Sequence, residues 1–162
     1  MSDQALRQHV STLLRAEGAH LDFNDAFDDI PAEARGKIAP HQPHTLWHLL
    51  EHMRIAQRDI LDFSRAGTYN EMNWPEDYWP MEDAPPSESV WQQSIKTFLD
   101  ELQQMIDLVN DDSHDLFQKV PHATEPTQTL LREALLLADH NSYHLGQFVT
   151  LRRVLNVWKD DT

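Results

Sequence analysis

Residues 139–148 read DHNSYHLGQF and set His140 and His144 four positions apart. A helix turns by about 100° per residue, so side chains at i and i+4 stand one above the other on one face. Two imidazoles so placed can converge on one cation, each offering a neutral nitrogen lone pair. Leu130, Leu137, Phe148, Leu151 and Leu155 define the apolar face of this segment. His144 falls within about 30° of its centre and His140 within about 70°. Asn141 lands on the same face, whereas Asp139, Thr150 and Arg153 project away from it. A polar group turned into a core without a partner costs about 1–3 kcal/mol. A lone inward histidine is ordinarily met by a hydrogen bond. A pair at this spacing asks for a third donor.

The stretch PHTLWHLLEHMRIAQRDIL offers three candidates, His44, His48 and His52, again four apart. Steps of four drift by about 40° around the axis, so the three do not share one direction. Against the apolar stripe Leu46, Leu49, Leu50, Met53, Ala56, Ile60 and Phe63, His44 points outward, His48 lies on the flank and His52 is nearest the core boundary. His52 is therefore the third donor that rotation favours, with His48 as its substitute. His44 and His48 otherwise read as a solvated face.

The elements that must position these residues are helices. Apolar residues recur at three-four spacing over about residues 3–17, 43–65, 88–110 and 127–157, and a short helix fits near Phe23–Phe27. Pro43 suits a first helical turn, Ser87 an N-cap and Gly67 a helix end. Trp91, Ile95, Phe98, Leu102, Met105 and Val109 form the third stripe. No strand pattern competes, and the chain reads as all-α, a four-helix bundle with long connections forming one domain over residues 1–162. The connection GTYNEMNWPEDYWPMEDAPP carries no periodicity, and loops of that length inside a bundle are often functional.

Charge and composition narrow the partners. Lys and Arg total 13 against 27 Asp and Glu, a formal charge of −14 that phosphate backbones and anionic lipid surfaces would repel. Nucleic acid and membrane are thus poor partners, and a small molecule is the expected one. No apolar run spans a bilayer and MSDQALRQHV lacks a leader pattern, so a cytoplasmic setting is expected. Cysteine is absent, which removes disulfides, thiolate ligands and a cysteine nucleophile.

PHTLWHLLEHMRIAQRDIL followed by DHNSYHLGQF resembles the DinB-like superfamily, the DinB/YfiT-like metalloenzymes built as four-helix bundles. Their pattern is one histidine on the second helix and H-x-x-x-H on the last, three ligands for a divalent metal. By resemblance His52 in LLEHM is the first ligand, and His140 and His144 in HNSYHLGQ are the others. GAHLDFNDAFDDIP is similar to the segment before the second helix in one branch, and the likeness covers about residues 5–155.

Three imidazoles on a divalent ion leave a coordination position open, which suits catalysis more than a purely structural role. Zinc or nickel is expected foremost, with iron or manganese also accepting imidazole. The resemblance implies a metal-dependent enzyme that activates a low-molecular-weight thiol, such as bacillithiol or mycothiol, for S-transfer to an electrophilic small molecule. It also leaves room for a metal-dependent hydrolase or a non-enzymatic metal- or ligand-binding stress protein, and it implies a homodimer. Absent a metal, the bundle would satisfy its histidines with Asn141 and water. No general base is legible, since Glu51 and Asp139 point outward by rotation. Trp74, Tyr78 and Trp79 either roof the open position or plug one end of the bundle. Trp79 and Asn141 are the residues assigned to a bound cofactor or ligand, and Trp47 and Trp91 are assigned to the core or an interface.

Overall fold

The computed structural model describes residues 2–158. Six α-helices follow in order: α1 (Ser2–Leu14), α2 (Phe23–Phe27), α3 (Ala32–Arg35), α4 (Leu46–Ser64), α5 (Glu88–Asn110) and α6 (Leu130–Val154), with a 3-10 turn at Glu76–Tyr78. The described residues contain no strand, only an isolated bridge between Lys119 and Thr129. The four long helices form the expected bundle. α4 packs most extensively on α6 and α5, while α1 packs on α5 and α6. α1 and α4 are therefore diagonal, as are α5 and α6, and the connections 15–45 and 111–129 each cross the bundle.

Local chemistry moved several helix ends from their expected places. α1 stops at Leu14 rather than 17, because Ala16 (φ 60°) and Gly18 (φ 116°) take left-handed backbone. α4 begins after Thr45, not at Pro43; the Thr45 hydroxyl accepts from the His48 amide at 3.1 Å. Its last residue is Ser64, and Gly67 (φ 131°) turns the chain two residues beyond the Arg65 cap. α6 starts behind the Thr129 cap and ends at Val154, with Asn156 left-handed at φ 57°. α5 matches its expected span, capped by Ser87. The single turn α3 has too few residues for a periodic signal, and it went unanticipated.

The stripes read from sequence form the core. Leu46, Leu50 and Met53 of α4, Trp91, Phe98 and Met105 of α5, and Leu137, Phe148 and Leu151 of α6 are buried. Each such side chain contributes about 1.5–3 kcal/mol by leaving water. α2 drives Phe23 and Phe27 into the bundle. Phe98 meets them edge-on at 4.9 and 5.5 Å, and Phe148 meets Phe27 at 5.2 Å. Trp47 and Trp91 are buried, in line with their core assignment.

Candidate metal centre

Facing turns of α4 and α6 carry His52, His140 and His144. His52 and His144 are buried, and His140 is partly so. The Nε2 atom of His52 lies 3.1 Å from that of His144 and 3.1 Å from that of His140. The ligating atoms of all three lie within 4.8 Å of one another, a group that could hold a metal ion.

The outer nitrogens decide what these short approaches mean. His52 Nδ1 is 2.9 Å from the Tyr78 carbonyl oxygen, which only accepts, so Nδ1 carries the proton and donates. His144 Nδ1 likewise donates to Gln147 Oε1 at 2.7 Å. In neutral rings both Nε2 atoms are then bare lone pairs, and 3.1 Å between them is no hydrogen bond. Burial favours the neutral form of each ring. Desolvation, opposed by the bond to Tyr78 and reinforced by the neighbouring histidines, pushes His52 down to about 4. Desolvation also pushes His140 to about 4 and lowers His144. Two imidazole nitrogens about 2.0–2.1 Å from one ion, at near-tetrahedral angles, sit about 3.1–3.4 Å apart. The donor set fits a divalent cation in spacing, and in tautomer for His52 and His144.

The outer partners come from the 65–87 connection and from α6. Tyr78 ends the 3-10 turn of the 65–87 connection, and its hydroxyl donates to Asp59 of α4 at 2.7 Å. Tyr69 donates to the other Asp59 oxygen at 3.0 Å. One carboxylate thus ties two points of the loop to α4. Trp79 lies flat on His52 at 3.8 Å with 1° between planes, and His44 lies flat on its other face at 4.0 Å. The proline-rich loop therefore lies against His52 and His144, with Trp79 6.2 Å from the latter. Trp74 is 6.4 Å from His52 and largely exposed.

Two expectations for the histidines at the start of α4 need correction. His48 is neither a solvated residue nor a substitute ligand. Its Nδ1 accepts from the Thr45 amide at 3.3 Å, and its Nε2 faces Asp83 at 3.5 Å, so both nitrogens serve the helix start. His44, just before α4, is half-buried as the outer ring of the Trp79 stack. Rotation places a residue on a helix face; it cannot foresee a loop folding over that face.

Asn141 is buried, and its amide donates to Gln57 Oε1 at 3.1 Å. Gln57 in turn donates to the Phe98 carbonyl at 2.6 Å. Asn141 Oδ1 and His140 Nδ1 are both buried without a hydrogen-bond partner, although Asn141 is among the influences favouring protonation of His140. The two orphans sit on adjacent residues. Glu51 is buried and paired through both oxygens with Arg54. Sequence reasoning missed Gln57, Gln147 and the Tyr78 carbonyl. Gln147 alone had a signal, its i+3 spacing from His144.

No helix among the described residues is long and apolar enough to cross a membrane. Neither the curated proteins nor the solved structures contain a match to this chain. A family model described as the DinB superfamily matches residues 15–148, a span that takes in all three histidines, the proline-rich loop and the core of the bundle. On that match, the chain belongs to the DinB superfamily.

Proposed function

We propose that His52, His140 and His144 hold a divalent ion, zinc or nickel foremost, and that the protein is an enzyme transferring a low-molecular-weight thiol to an electrophilic small molecule. One observation carries the metal reading: the 3.1 Å approach of the His52 and His144 Nε2 atoms, each with its ring proton held on the opposite nitrogen by an oxygen acceptor, with His140 Nε2 3.1 Å from that of His52. Lone pairs turned on one another in a desolvated place repel, and a cation between them is the arrangement that relieves it.

When bound, the ion supplies a Lewis acid with an open position that favours the thiolate over the thiol. The chain's own residues do the rest. Tyr78 and Gln147 hold two rings in one tautomer. Trp79 shields one face of His52 from water. The absence of cysteine is consistent with a nucleophile that arrives as a cosubstrate. In the reaction a sulfur–carbon bond forms, the leaving group departs with its electron pair, and the thiol proton passes to solvent.

The test begins with elemental analysis of the purified protein and of His52→Ala and His144→Ala. About one ion per chain is expected in the parent, with at least a tenfold loss in each variant. Full metal content in both variants would overturn the three-histidine site. Monochlorobimane and 1-chloro-2,4-dinitrobenzene are then offered with bacillithiol, mycothiol, glutathione and coenzyme A. Thioether formation that disappears with His52→Ala supports the transferase reading. Metal without turnover of any pair would sink it and leave a metal-dependent hydrolase or a binding protein.

A further inference from the structure

Beside the three histidines, α6 and the start of α4 enclose a groove of about 310 Å³. Its walls include Gln42 and His44 before α4, Leu49 on α4, and Tyr143, Gly146 and Gln147 on α6. We infer that this groove is a second binding site, recognising the neutral, hydrogen-bonding part of the small molecule that reacts at the metal centre. The inference rests on the proposed function for what the site serves, but the groove itself stands on separate observations.

The groove is joined to the histidines at three points. Gln147 lines it and also accepts from His144 Nδ1. Tyr143 lines it and meets the His144 ring edge-on at 4.9 Å. His44 lines it and stacks on Trp79, which stacks on His52. A molecule lying in the groove therefore touches residues that set the orientation of two of the three imidazoles.

Its lining chooses the ligand class. The chain carries 27 acidic and 13 basic residues, yet no Asp, Glu, Lys or Arg lines this groove. An ionised group entering it would lose hydration and meet no counter-charge, which is costly. An amide, hydroxyl or carbonyl finds partners in Gln42, Gln147 and Thr150, while Leu49 and Leu151 offer an apolar floor. Gly146 lines the groove, and a Cβ built there meets nothing within 4 Å, so the position faces open space. Replacing a mid-helix glycine also raises helix propensity, so the fold tolerates the change.

Three fluorinated probes test the inference by fluorine NMR on the purified protein: 4-fluorobenzamide, 4-fluorobenzoate and 4-fluorobenzylammonium. The benzamide is expected to bind saturably and the two ions at least tenfold more weakly. Gly146→Phe should weaken benzamide at least tenfold while metal content by elemental analysis stays at the parent level. Thr150→Phe reaches the groove from the next turn and should weaken it as well, which guards against a local distortion at position 146. Equal binding of the benzoate, or benzamide binding untouched by both substitutions, would overturn the inference. Benzamide binding that both substitutions abolish in a protein found to carry no metal would keep the groove and discard the metal-centre reading, so the two fail separately.

Discussion

At the level of single residues, the site is a problem of tautomers more than of charge. His52 and His140 are pushed down to about 4 by desolvation, whereas the unfolded chain takes up these protons near 6.5. Between those values the unfolded state binds more protons, so the pair's contribution to ion-free stability is complete above about 6.5 and is lost as the pH falls toward 4. Urea midpoints of chelator-treated protein should therefore drop from pH 7 to pH 5, and drop less in a His52→Leu/His140→Leu variant. An equal drop in both would show that these rings do not carry the effect. Asn141→Leu should cost about 1–3 kcal/mol, because it strands Gln57 Oε1 inside the bundle. A Gln57→Leu/Asn141→Leu double variant should cost less than the sum of the singles, since one interaction is removed once. At this scale the sequence was informative about direction only. Helix rotation brought out His52, His140 and His144, because a 100° step is fixed by backbone hydrogen bonding. It put Asn141 on the same face, yet could not tell that its amide would turn to Gln57.

The elements that matter are α4, α6 and the connection 65–87, and they differ in how far pattern reveals them. α5 was legible to the residue because its stripe, its Ser87 cap and its end agree with one another. The connection was not legible, since its contacts are made by single tyrosines, a tryptophan face and a backbone carbonyl, none of which is periodic. Its attachment is open to test. Asp59→Ala removes the acceptor of both Tyr69 and Tyr78 and so loosens the carbonyl that orients His52. Metal affinity in a competitive chelator titration should fall, by no more than the roughly 10–100-fold that loss of a direct outer partner costs. Limited proteolysis should cut sooner within 65–87 while the helical content by circular dichroism holds. Unchanged affinity would show that the loop's attachment is irrelevant to the ion. His48 belongs to the same account: the Thr45 hydroxyl donates to the Asp83 carbonyl at 2.7 Å, so one end of the loop and the start of α4 are secured together.

Across the whole molecule, two long connections cross diagonals, and buried arginines fasten what they join. Arg7 of α1 donates to the carbonyls of Val109, Asp111 and His114, around the C-terminal end of α5 where backbone acceptors lack helical partners. Arg152 of α6 does the same for Ala26 at the end of α2, at 2.7 Å. Arg7→Ala should destabilise the protein by about 1.5–3 kcal/mol, the range for hydrogen bonds from a charged donor, read as a shift of the urea midpoint. Arg7→Lys should recover only part of it, since one ammonium cannot span three carbonyls as a guanidinium does. The bundle class was legible from four apolar stripes. The diagonal order was not, because stripes report which face is buried and not which neighbour buries it.

Three rings lie in one column, His44 on Trp79 on His52, with the indole in the middle and the innermost imidazole offering its Nε2 to the triad. A cation drawn to that nitrogen withdraws electron density from a ring in face contact with a fluorophore. The molecule thus carries its own optical gauge. Of its five tryptophans, Trp79 should dim and shift as the site fills, and the change should vanish in Trp79→Phe. Occupancy could then be followed in real time by light emission alone, with no added dye.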